Sequence, residues 1–125
     1  MNERYEQGLK MLAEVDGKAG EEVLAVVQGI CPDMVRYLIE FPFGDVYARP
    51  GLSLRDREIA TLGMLAAKGG CLPQFKVHVR AGLHVGLSQK EILEIIIQTA
   101  VYAGFPAALN ALFAANEVFQ AEEEA

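Results

Sequence analysis

Residues 88–104 read SQKEILEIIIQTAVYAG, and the choice between strand and helix here decides the fold. Three consecutive isoleucines and a valine suit a strand by propensity alone. The flanks argue the other way. Ser88 and Glu91 make an S-x-x-E capping box, the mark of a helix start, and Gly104 supplies a helix stop. Read as a helix, Ile92, Ile95, Ile96 and Thr99 fall on one stripe, while Leu93, Ile97 and Val101 lie off it. A helix that is apolar on nearly all sides is expected to be buried on nearly all sides. In a domain this small, a subunit interface would supply part of that burial.

The same punctuation extends outward from this stretch. Upstream, Gly69–Gly70 and Gly86 bracket a helix from Cys71 to Leu83, with Pro73 tolerated in its first turn. Before it, ARPGLSLRDRE reads as a turn and a helix start, with Ser53 as N-cap and Asp56 at N3. That helix runs to Ala67. Tyr5, Leu9 and Leu12 mark an N-terminal helix that Gly17 ends. Glu21 to Gln28 gives a second helix with Gly29 beyond it. Pro32 and Asp33 open a third, which must bend or stop around Pro42 and Gly44. Downstream, Phe105–Pro106 start a last helix to about Phe119, and residues 120–125 are expected to fray as an acidic tail. The expected fold is all-α, a single domain over residues 1–125 with about six to seven helices.

Bulk composition narrows the function. The chain has 125 residues, 52% of them apolar, and a net charge of -6. It offers no basic face for phosphates, so no nucleic acid partner is expected. No apolar run approaches the roughly 20 residues that span a bilayer, so no membrane partner is expected. The polar start MNERYEQGLKMLAEVDG lacks an apolar leader segment, and a cytoplasmic location is the expectation. There, Cys31 and Cys71 are expected as free thiols.

Chemistry concentrates in GCLPQFKVHVRAGLHVG, residues 70–86. Cys71, Gln74 and His78 are spaced i, i+3, i+7 and share one helix face. Cys71 sits where unpaired N–H groups and the helix dipole favour negative charge. His78 can exchange a proton near neutral pH, and Gln74 can donate and accept hydrogen bonds. The plainer alternative is a packed thiol and a packed imidazole. His78 and His84 lie on different faces and no C-x-x-C is present, so no metal ligand set is expected. Glu58 closes RDRE, either as a solvated first-turn acid or as a group aimed at the site. Arg55 and Arg57 beside it are either surface charge or holders of an anionic substrate. YAGFPAALNAL reads as a tight helix corner, from which Tyr102 and Asn110 can present polar tips to a pocket.

Two stretches, RPGLSLRDREIATLGMLAA and QFKVHVRAGLHVGLSQKEILEIIIQTAVYAGFPAALNAL, resemble the carboxymuconolactone decarboxylase family, which is related to alkylhydroperoxidase D. The resemblance covers roughly residues 45 to 115. It implies an alkylhydroperoxidase D-like all-α fold assembled as a homo-oligomer, a dimer, trimer or hexamer. Alkylhydroperoxidase D-like relatives carry C-x-x-C-x-x-x-H, and this chain reads CLPQFKVH. Cys71 falls on the first thiol, His78 on the histidine, and Gln74 on the second thiol's place. Decarboxylase-like relatives lack the thiol pair and keep the histidine. Their substrate is a small γ-lactone bearing two carboxylates.

On that reading His78 is the general acid/base and Glu58 its orienting or proton-relay partner. Arg55, Arg57 or Arg80 would hold a carboxylate, and His84 stands where many relatives carry asparagine. Three functions stay open. One is a cofactor-free decarboxylase or isomerase using His78 and Glu58. The second is a peroxiredoxin-like thiol enzyme using Cys71 with an external resolving thiol. The third is a non-catalytic oligomeric scaffold.

Overall fold

Glycine placed where the backbone needs φ > 0 sets most of the helix ends. The computed structural model describes residues 2–124. Among these residues there are seven α-helices and no strand. They are α1 (Glu3–Asp16), α2 (Lys18–Ile30), α3 (Pro32–Leu38), α4 (Leu54–Lys68), α5 (Leu72–His84), α6 (Gln89–Ala103) and α7 (Phe105–Glu124). A π-helical segment, Ile39–Tyr47, continues α3. Gly17, Gly69, Gly70, Gly86 and Gly104, at or near the ends of α1, α4, α5 and α6, all have positive φ. No helix among the described residues is long and apolar enough to cross a membrane.

The chain divides into two compact units, one ending at Leu54 and the other starting at Arg55. In the first, α1 lies against the π-helical segment at two glycines. A Cβ on Gly8 would collide with the carbonyl oxygen of Ile39, and one on Gly44 with that of Arg4. Polar contacts close the same seam. Arg4 grips Asp45 through Nε at 3.0 Å and Nη2 at 2.7 Å. Glu40 is buried, and the Asn2 amide donates to it at 2.7 Å. Arg4 and Arg36 each stand 3.8 Å from the same carboxylate.

In the second unit α5, α6 and α7 pack closely on one another. Their core joins Phe75 and Val79 of α5 to Ile92 and Ile96 of α6 and to the alanine-rich face of α7. Small side chains on α7 let its backbone come close, and Leu62 of α4 completes the cluster.

Three expectations need correction, and a fourth is met only in part within the chain. Helix α2 begins before Glu21 and runs through Gly29 to Ile30. Pro42 and Gly44 do not stop the chain's helical course; wider π turns absorb them. The last helix continues past Phe119 to Glu124, so residues 120–124 are helical and exposed rather than frayed, and Ala125 lies outside the described residues. Helix α6 buries only one stripe within this chain: Ile92, Ile96 and Thr99 are covered, while Ile97 and Val101 are 60% and 72% exposed.

Candidate functional site

The buried face of α4 carries Glu58, Leu62 and Ala66 at i, i+4 and i+8. Placing a carboxylate in that apolar row is costly without a partner. Glu58 is 0% exposed, and His78 of α5 meets it. The His78 Nδ1 lies 2.9 Å from Oε1 and 3.1 Å from Oε2 of Glu58. A carboxylate accepts, so Nδ1 carries the proton in this contact and Nε2 is left as the basic nitrogen. The His78 side chain is 20% exposed, so the pair is dry on the glutamate side and reachable on the imidazole side.

One turn further along both helices, Leu62 of α4 approaches Gly82 of α5. A Cβ on Gly82 would stand 3.0 Å from Leu87 Cδ1 and 3.4 Å from Leu62 Cδ1. The missing side chain lets α4 and α5 come near enough for the Glu58–His78 contact one turn earlier.

Cys71 is the residue before α5, with a partly buried thiol and no cap hydrogen bond. Its Sγ–H donates to the Leu65 carbonyl at 3.4 Å, near the end of α4. Cys31 is a free, exposed thiol. Gln74, Arg80 and His84 are exposed on α5. Arg55 is engaged: it pairs with Glu91 on α6 and stands 3.6 Å from Asp56. Arg57 is half-buried, and its carbonyl accepts from the Thr61 hydroxyl at 2.8 Å.

Tyr102 is 86% exposed and stands at a mostly apolar cavity of about 450 Å³ between α4 and α6, with Ile59, Gly63, Met64 and Gln98. Asn110 lines a separate cavity of about 420 Å³ with Gly69, Gly70 and Pro73. The structure therefore joins Glu58 to His78, while Tyr102 and Asn110 line cavities that neither of that pair lines. Sequence reading gave Glu91 only the role of a cap. The alternating charges of RDRE were the one hint that an arginine there would seek an acid elsewhere.

The chain is 34% identical over 119 residues to 4-carboxymuconolactone decarboxylase of Acinetobacter baylyi, which covers 94% of this chain and 88% of that protein. It is 30% identical over 102 residues to an uncharacterized 15.0 kDa protein of Paracoccus denitrificans, covering 81% and 76% of the two. It is 28% identical over 109 residues to nitrosuccinic acid decarboxylase of Metarhizium robertsii, covering 86% and 76%. The profile of one family spans residues 32–117, reaching upstream of the resemblance seen in the sequence to the start of α3. By that span and by the first relative, the chain belongs to the carboxymuconolactone decarboxylase family.

Proposed function

We propose that this protein is an acid/base decarboxylase of a small carboxylated lactone, with His78 as the proton-transfer group and Glu58 as its orienting partner. The observation that carries the reading is the His78 Nδ1 held 2.9 Å from a fully buried Glu58 carboxylate. Two of the relatives compared above are named decarboxylases, which supports the reaction class.

In such a reaction the C–C bond to a carboxylate breaks and carbon dioxide leaves. The electron pair passes into the conjugated lactone framework, and a proton is delivered at its far carbon. A single histidine with a fixed tautomer suits this task. Glu58 fixes the ring orientation and compensates the charge the ring acquires whenever Nε2 takes a proton. Arg57 and Arg80 are the candidate holders of the remaining substrate carboxylate. The exposed apolar residues Ile97, Val101, Phe105 and Leu109 support self-association into a homo-oligomer.

The test is turnover of 4-carboxymuconolactone. Loss in His78→Ala with retention in Cys71→Ser supports the proposal. Loss in Cys71→Ser with peroxide consumption in the parent points to thiol chemistry instead. Light scattering of the purified protein reads the assembly.

A further inference from the structure

We propose that Arg55 and Glu91 form a positioning pair that sets the depth of Glu58 against His78. The proposal rests on the reading of Glu58 and His78 as the reactive pair. While α5, α6 and α7 pack closely, α4 and α6 are separated by the 450 Å³ cavity along residues 59–67 and 95–103. Behind the cavity Leu62 and Ala66 share the core with Ile92 and Ile96, but the faces that line it stand apart. At the start of both helices a polar tie adds to this packing: Arg55 Nη2 donates to Glu91 Oε2. Arg55 lies three residues before Glu58, less than one turn away on the same helix.

The anchor of this tie is itself fixed. The Ser88 N–H donates to Glu91 Oε1 at 3.0 Å, and the Glu91 N–H donates to Ser88 Oγ at 3.0 Å. One carboxylate therefore splits its work: Oε1 caps α6 and Oε2 holds α4. The next residue, Ile92, reaches the junction where Leu62 meets Gly82. The path from cap to Glu58 is thus short: Ser88 to Glu91, across to Arg55, then less than one turn along α4. Loss of the tie would let the start of α4 shift over the cavity and carry Glu58 out of register with Nδ1. Neither residue touches the reacting atoms in this scheme.

Glu91→Gln separates cap from tie, because a glutamine at N3 still accepts from the Ser88 N–H but no longer attracts Arg55 as a charge. The measurement is NMR of the His78 Nδ1–H resonance, with melting temperature and lactone kinetics alongside. In Glu91→Gln and Arg55→Ala the hydrogen-bonded Nδ1–H signal should shift or broaden. We expect kcat to fall about tenfold with KM within about twofold, as misplacement of a proton-transfer group predicts. Glu91→Gln should melt close to the parent, and Arg55→Lys should recover part of the signal and rate. A Glu91→Gln variant with the parental Nδ1–H signal and kcat overturns the proposal, even if Arg55→Ala fails to fold. If the parent turns over no lactone, the substrate reading fails, and the Nδ1–H signal alone decides the positioning role.

Discussion

Each half of the molecule buries one glutamate, and the two are solved differently. Glu40, in the first unit, is met by the Asn2 amide and the guanidinium groups of Arg4 and Arg36. Those cations are permanent, so the carboxylate is compensated at any ordinary pH and the cluster only holds α1 to the π-helical segment. Glu58, in the second unit, is met by an imidazole, which changes charge near neutrality. A buried acid facing a titratable base has two protonation arrangements to move between; one facing arginines has a single stable one. On the proposed function, the identity of the partner, more than burial, separates the reactive carboxylate from the structural one.

Exchanging the two acids in turn tests this contrast most strongly. Glu58→Gln should lower decarboxylation by about a hundredfold or more, the usual reach of a positioned acid/base system. Glu40→Gln should leave kcat unchanged and lower unfolding stability by about 1–3 kcal/mol, since two guanidinium groups lose their shared charge. Equal rates for both variants in the same lactone assay would erase the distinction. Glycines sharpen it next. Gly8→Ala should destabilise by about 3 kcal/mol in a denaturant titration, because the new methyl meets the Ile39 backbone. Gly63→Ala should instead stabilise by about 0.5–1 kcal/mol, since a Cβ there meets nothing within 4 Å and alanine favours the helix.

A smaller effect is expected at the start of α6. Ser88→Ala should cost about 1 kcal/mol, read as a lowered melting temperature, because the Glu91 N–H loses its acceptor. The smallest effect is expected at the exposed seam of the first unit. Hydrogen bonds from Arg4 hold the Asp45 carboxyl below the usual carboxylate range. A depressed folded value means this contribution is present above the unfolded value and is lost as pH falls through the folded one. Acid titration of stability should therefore show a slightly weaker loss at low pH in Asp45→Asn than in the parent.

The helices were legible where local chemistry decides them. The capping box at Ser88 and the positive-φ glycines at 17, 86 and 104 were readable because they act within a few residues. Gly29 misled because a helix tolerates a single glycine when nothing else terminates it. Pro42 and Gly44 signalled a break, but sequence carries no mark of a π turn that lets both pass. The end of α7 was placed early because an exposed acidic run looks the same in a helix and in a tail.

At the site, His78 stood out by its helix face. Glu58 was paired with it only through a family resemblance, since the two lie 20 residues apart with a loop between them. Arg55 was one of three candidates, with Arg57 and Arg80, to hold a substrate carboxylate; the structure pairs it with an acid 36 residues away. Long-range ion pairs leave no periodic trace in a sequence.

The uncovered side of α6 and α7 has a consequence for handling the protein in solution. Ile97, Val101, Phe105, Leu109 and Phe113 form apolar surface on a chain whose net charge is -6. Attraction between such surfaces acts at contact, while like-charge repulsion reaches about 30 Å in 0.01 M salt and about 10 Å in 0.1 M. Like-charge repulsion in dilute buffer would therefore oppose contact between such faces, and added salt would weaken that barrier without altering the faces. If the chain self-associates through these faces as proposed, ionic strength is a control over that association that needs no substitution, and assays at different salt concentrations would sample different populations of the same chain.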